Sequence, residues 1–435
     1  MSGTTNDDVS QLIYDWNEIE EFRPPKRRIL VTDETLRDGL QSPSITHPEI
    51  QDKVYLLYLM RDLGIDAADL GLCGAGERFK YDVIVLAKEI ANQNMPIQPQ
   101  SAARTMLDDI TPIVDASQEA GIPIEACIFL GTSPIRQYAE GWDVEFLLER
   151  TKESVSFATN HGLPVMFVTE DTTRAHPDTL RRVYTAAIEA GAQRLCVSDT
   201  VGHATPEGVR ALVSYLRKIV DEINPEVGID WHGHRDRGMD IINTLVAIEA
   251  GADRVHACGL GVGERSGNTP MELLLVNLNL MGLATRDLRR LPEYCNIIAE
   301  KCGAPVPFNY PVVGADSFRT STGVHAAAVV KALSRDENWL ADRVYCGVPA
   351  SMVGRVQGIE IGPMSGEHNV RFYLHQRGIE EHPVYVEKIL AAAKRSKRLL
   401  SEEDVLHMVA VMRERLKSGA EIKESEIEDT LLTRS

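Results

Sequence analysis

The feature that most constrains this chain is a repeated alternation of short apolar segments with longer helical patterns between residues 28 and 282. The apolar segments are RRILVTD, DAADLGL, PIQPQSA, IPIEACIFLG, LPVMFVTED, QRLCVSDT, GIDWHGH and ADRVHACGLG, which makes eight strand candidates. Each precedes a stretch of helical periodicity, as in DVEFLLERTKESVSFATNHG, where Asp143 suits an N-cap and Gly162 a stop. Strands separated by helices pair in parallel through right-handed crossovers, and eight such units in about 250 residues match a closed β/α (TIM) barrel. A doubly wound open sheet is the alternative. Residues 1–27 are expected to form an N-terminal arm and residues 28–285 the barrel. Residues 286–435, with Pro-rich APVPFNYPVVG and then helical patterns, are expected to form C-terminal helical subdomains for linkage, dimerisation and a lid.

The formal charge of −18 over 435 residues disfavours nucleic acid and anionic membrane surfaces as partners. No apolar run reaches the roughly 18 to 20 residues that span a bilayer, and the polar start MSGTTNDDVS is unlike a targeting peptide, so a cytoplasmic location is expected. Seven cysteines without C-x-x-C pairing argue against a disulfide framework or a thiolate zinc site.

Polar residues recur at one end of the strands. Asp38, Asp69, Arg104, Glu170, Thr200, His232 and Asn268 lie at or just after C-terminal strand ends, where barrel enzymes build their sites. Within WHGHRDRG, His232 and His234 sit two apart on a strand, so both rings point to one face and can meet at one metal. On spacing alone, two polar loop residues explain the pair equally well.

At TDETLRDGLQSP, HGHRDRG and GLGVGERSGNTP the chain closely resembles the aldolase-type barrel enzymes that include 2-isopropylmalate synthase, homocitrate synthase and 3-hydroxy-3-methylglutaryl-CoA lyase. The resemblance extends through VTEDTTR, SDTVGHATP, STGVH and VGRVQGIEIGPMSGEHNV. It implies that Asp38, His232, His234 and Asn268 bind a divalent metal, Mg²⁺, Mn²⁺ or Zn²⁺. Arg235 departs from the Asn or Asp that usually follows the second histidine. By the same resemblance, Arg37 stabilises charge growing on a 2-oxo acid, Gln41 and Thr200 hold that acid, and Glu170 takes a methyl proton from acetyl-CoA, the co-substrate. His325 is expected to reach the active site of a neighbouring subunit, accompanied by Tyr345, in a homodimer with shared sites.

Residues 259–268 contain no cysteine of the kind the lyases use, which favours a synthase; a non-catalytic metal-binding protein is the reading of a different class. Met166 stands where homocitrate synthases carry a basic residue, and an apolar side chain there suits an apolar substrate tail. The expected activity is therefore like that of a 2-isopropylmalate synthase, with homocitrate, citramalate or Re-citrate synthesis as alternatives. Asp69 replaces the glutamate of most relatives and, with Arg104, is expected to contact substrate. Arg136 is expected to meet a distal anion or coenzyme A phosphates. No leucine-sensing module is recognised after the helical region.

Overall fold

The computed structural model describes residues 12–17 and 28–422. Most of the expected N-terminal arm and the charged tail from residue 423 lie outside the described residues. Two compact units emerge, one of residues 1–45 with 65–285 and one of residues 46–64 with 286–435.

The first unit carries eight strands: β1 (Leu30–Asp33), β2 (Ala67–Asp69), β3 (Gln98–Arg104), β4 (Glu125–Gly131), β5 (Val165–Glu170), β6 (Arg194–Asp199), β7 (Gly228–Gly233) and β8 (Arg254–Ala257). They close into one barrel in chain order. The decisive pairing is parallel β1 on β8, with Val31 opposite Val255 and Asp33 opposite Ala257, which excludes the open sheet. Strand residues facing the surrounding helices are apolar, so Val31, Phe167, Ile229 and Val255 are almost completely buried. The helices start where the sequence supplies caps. Asp143 accepts from Phe146 N–H at 2.8 Å to open the helix Val144–Asn160, and Thr205 followed by Pro206 opens Pro206–Ile223.

The barrel interior departs from the usual layers of branched aliphatic residues. Arg254 donates to Asp230 at 2.5 Å and to Glu125 at 2.7 Å, and Arg194 pairs with Asp230 at 2.6 Å. This buried ionic group underlies the cavity described next.

The second unit is mainly helical. The helix Ile50–Asp62 belongs to it because Asp62 and Tyr55 pair with Arg290 and Glu293 at the start of the helix Leu291–Cys302. Three helices, Glu367–Gln376, Pro383–Arg395 and Glu402–Ser418, surround an apolar core that includes Val370, Leu374, Ile389, Met408 and Met412. No helix among the described residues is long and apolar enough to cross a membrane.

Candidate metal centre and active site

A cavity of about 470 Å³ opens at the C-terminal ends of the barrel strands, lined by Arg37, Asp38, Gln41, Glu170, Thr200, His232 and His234 among others. Seven of the residues singled out from sequence thus share one space.

Strand alternation places His232 at the end of β7 facing inward, and His234 follows on the same face, bridged to Asn268. Their Nε2 atoms lie 3.1 Å apart, and His234 Nε2 is 3.9 Å from Asp38 Oδ2. One ligand atom from each of the three residues falls within 4.8 Å of the others. Metal–ligand bonds of about 2.0–2.2 Å hold neighbouring donors roughly 3 to 3.5 Å apart, so the 3.1 Å between the two histidines fits a cation, and the Asp38 carboxylate, 3.9 Å from His234, has to move inward to join them. Burial, followed by the neighbouring His232, lowers His234 to about 4, which keeps its ring neutral and able to ligate. Two polar atoms also lack partners: His234 Nδ1 and Asn268 Oδ1 are buried without a hydrogen bond.

Asn268 touches the site through its amide nitrogen, which donates to Asp38 Oδ2 and lies 3.2 Å from Cys258 Sγ. Direct ligation by Oδ1 requires a half-turn of that amide. The loop behind it comes so close that a Cβ on Gly263, at φ +148°, would stand 2.2 Å from Asn268 Nδ2. Only glycine fits there.

Arg37 is the electrostatic centre. Its guanidinium donates to Glu34 at 2.9 Å, to Asp38 at 3.0 Å and to Asp69 at 3.0 Å. Burial raises the Asp38 carboxyl, but Arg37, His232 and His234 outweigh it, and the net shift is downward. Burial also raises Glu34, yet His232, Arg37 and His256 together hold it well below the usual carboxylate range. Burial opposes charge on His256 as well, but Glu34 and Asp230 push it up to about 9. Arg37 thus faces three carboxylates, Glu34, Asp38 and Asp69, and the surplus negative charge around it suits a divalent ion.

Two residues expected at the substrate lie outside the lining of this cavity. Asp69 was expected to meet substrate, but it is buried behind Arg37 and does not line the cavity; burial, only partly offset by Arg37, raises it to about 6. Its chemistry is spent on the guanidinium. Arg104, also expected at the substrate, pairs with Asp109 at 2.6 Å, and its half-exposed side chain lines a second cavity of about 530 Å³. That cavity also holds Arg136, Arg150 and the stacked rings of Trp142 and Phe146, and shares Phe129 and Glu170 with the first. His325 and Tyr345 lie in the other unit, their rings stacked 4.0 Å apart.

Glu170 ends β5 at the junction of the cavities, and burial raises its carboxyl although Arg136 and Arg37 pull it down. Thr200 Oγ1 accepts from Asp171 N–H at 2.7 Å. Sequence reading missed Glu34, His256 and Arg265. Glu34 Oε2 accepts from His232 Nδ1 at 2.6 Å, and Arg265 lines the first cavity from the glycine loop. The signal for Glu34 was a charged residue in a buried strand end, where charge needs a partner.

With this geometry in place, residues 28–298 match the model of the HMGL-like family. The chain belongs to that family. It is 32% identical over 370 residues to a probable 2-isopropylmalate synthase of Methanopyrus kandleri, covering 84% of this chain and 69% of the relative. A putative (R)-citramalate synthase of the same organism is 34% identical over 379 residues, covering 86% and 69%. A homocitrate synthase from that source is 32% identical over 371 residues, covering 84% and 87%. Among solved structures, the HMG-CoA lyase of Bacillus subtilis superposes with a TM-score of 0.55 at 21% identity, over 66% of this chain and 97% of the lyase. That likeness supports the barrel fold of this family member. The three relatives carry three substrate names, so family membership leaves the oxo acid open.

Proposed function

We propose that this chain condenses acetyl-CoA with a 2-oxo acid and releases coenzyme A, acting most like a 2-isopropylmalate synthase. The observation that carries the reading is the convergence of Asp38, His232 and His234 beside Arg37 in the barrel mouth, with Glu170 in the same cavity. Asp38, His232 and His234, with Asn268 as a fourth donor after its amide turns, would hold a divalent cation (Mg²⁺, Mn²⁺ or Zn²⁺), which would supply Lewis acidity toward a keto oxygen.

Arg37 spends three N–H donors on carboxylates and keeps two for the oxygen that gains charge during attack. Thr200 uses its oxygen as an acceptor and so has its O–H free to donate to the substrate carboxylate, beside Gln41. Glu170 removes a methyl proton from acetyl-CoA, and the carbon so activated forms a bond to the keto carbon. The resulting alkoxide takes up a proton, and water cleaves the thioester to release coenzyme A.

Glu170 at the junction suggests where each substrate lies, with the oxo acid in the first cavity and the acyl carrier in the second. There Arg136 and Arg150 meet phosphates, and Trp142 and Phe146 give the nucleotide an aromatic face. The cavity floor of Cys127, Met166, Val168 and Cys196 is apolar, which favours an oxo acid with an apolar tail over one with a second carboxylate. Free thiol release from acetyl-CoA across a panel of 2-oxo acids tests the proposal. The largest kcat/KM is expected for a branched apolar acid, and no oxo-acid-dependent release with any member defeats it. A preference for 2-oxoglutarate or pyruvate selects the homocitrate or citramalate alternative.

We further propose that His325, stacked on Tyr345, serves the barrel of a partner subunit in a homodimer. His325→Ala and His232→Ala are then each inactive, but mixing them recovers up to about a quarter of wild-type activity, because half of the dimers are mixed and half of their sites intact. No recovery despite subunit exchange contradicts the shared site.

A further inference from the structure

We infer that Glu34 is a positioning residue that fixes both His232 and Arg37, and that His256 anchors it to the charged interior of the barrel. This rests on the metal-dependent reading above and adds to it a residue that lines the same cavity and acts through His232 and Arg37.

Glu34 is almost fully buried, and its two oxygens are divided among three donors. His232 Nδ1 donates to Oε2 at 2.6 Å, while Oε1 accepts from Arg37 at 2.9 Å and from His256 Nδ1 at 3.1 Å. The first bond sets the tautomer. With the proton of a neutral His232 on Nδ1, the lone pair of Nε2 points toward His234 and Asp38, as ligation requires. The second oxygen fixes the guanidinium at a set distance from that ligand. His256 then ties the carboxylate downward, since its Nε2 donates to Asp230 Oδ2 at 2.9 Å, and Asp230 in turn holds Arg254 and Arg194.

Glu34, His232 and His256 also form a compact group of possible cation ligands. Their contacts argue against that use. The facing atoms already form hydrogen bonds, whereas a cation there needs lone pairs on His232 Nδ1 and His256 Nδ1. It would also force the His232 proton onto Nε2, which lies 3.1 Å from His234 Nε2. One imidazole then serves one site, and Glu34 decides which.

Glutamine at position 34 fits the space but cannot serve three donors. With its oxygen on His232, its NH₂ faces the N–H groups of Arg37 and His256; reversed, it faces His232 Nδ1–H. One side of the network is lost either way.

The test is Mn²⁺ binding to the metal-stripped full chain, followed by electron paramagnetic resonance, for wild type, Glu34→Gln and His234→Ala, with kcat measured at saturating Mn²⁺. Glu34→Gln is expected to bind one ion per chain with Kd raised about 10- to 100-fold and to keep a lowered kcat at saturation. His234→Ala is expected to lose the site. Wild-type affinity and kcat in Glu34→Gln overturn the inference. Loss of binding as complete as in His234→Ala, with the Tm of the metal-free protein unchanged, makes Glu34 a ligand and also overturns it. If Glu34→Gln does not fold, His256→Gln decides: a smaller rise in Kd supports the anchor, and no rise overturns it. Wild-type Mn²⁺ binding by His234→Ala instead removes the metal-centre reading itself, so the two failures are distinct.

Discussion

The centres of the two units are built on opposite principles. Beneath the barrel mouth, the buried side chains include Glu34, Arg254, Asp230, Glu125 and His256, each held by another charge. The helices from Glu367 to Ser418 instead enclose a mainly apolar core that includes Val370, Leu374, Ile389 and Met412, and their buried polar residues Asn369 and Asp404 cap helix starts. An apolar core loses stability in proportion to the volume removed, whereas a charged network left with an unpaired member loses both stability and the arrangement of the remaining groups. The barrel can therefore hold reactive groups to a fixed arrangement, and the helical core supplies stability alone.

The sharpest test of this contrast removes the proposed base. Glu170→Gln is expected to lower kcat about 10²- to 10⁴-fold in a coenzyme A release assay, with thermal unfolding little changed. Arg37→Ala comes next, with a loss in kcat of about 10²- to 10³-fold at saturating metal. If only KM rises, Arg37 binds the ground state and its assigned role is wrong.

In the helical unit, Leu374→Ala is expected to cost about 2–5 kcal/mol in denaturant unfolding of that unit. Its kcat should stay within about twofold of wild type below the transition. A 100-fold fall in kcat would erase the contrast by giving the apolar core a catalytic part.

The smallest effect is on pH dependence. Burial holds the Glu170 carboxyl above its ordinary value of 4.5, and a base must be ionised, so kcat/KM should fall as pH drops through that raised value. Arg136 pulls the carboxyl down, so Arg136→Ala should move the acid limb to higher pH. A limb that stays in place or moves lower assigns the proton transfer to another group.

Much of the barrel could be read because each strand is a short apolar run between turn residues, and closure followed from counting eight. His232 and His234 could be read because a period of two puts both rings on one face. Glu34 and His256 could not: their meaning arises when β1 pairs with β8, a contact between residues more than 200 apart in sequence. The partners of Asp69 and Arg104 could not be read either, because a strand-end position shows where a side chain starts but not which partner takes it. Arg37 takes the first and Asp109 the second. His325 sits in a helix that the strand period does not reach, so the proposal that it serves a partner's site rests on motif alone.

The central claim, a metal-dependent condensing site at the barrel mouth, is tested most directly by stripping divalent ions and titrating Mn²⁺ back while following both binding and coenzyme A release. The account predicts no turnover in the stripped protein, one ion bound per chain, and activity rising in parallel with occupancy. Full oxo-acid-dependent turnover in rigorously metal-free protein would contradict it.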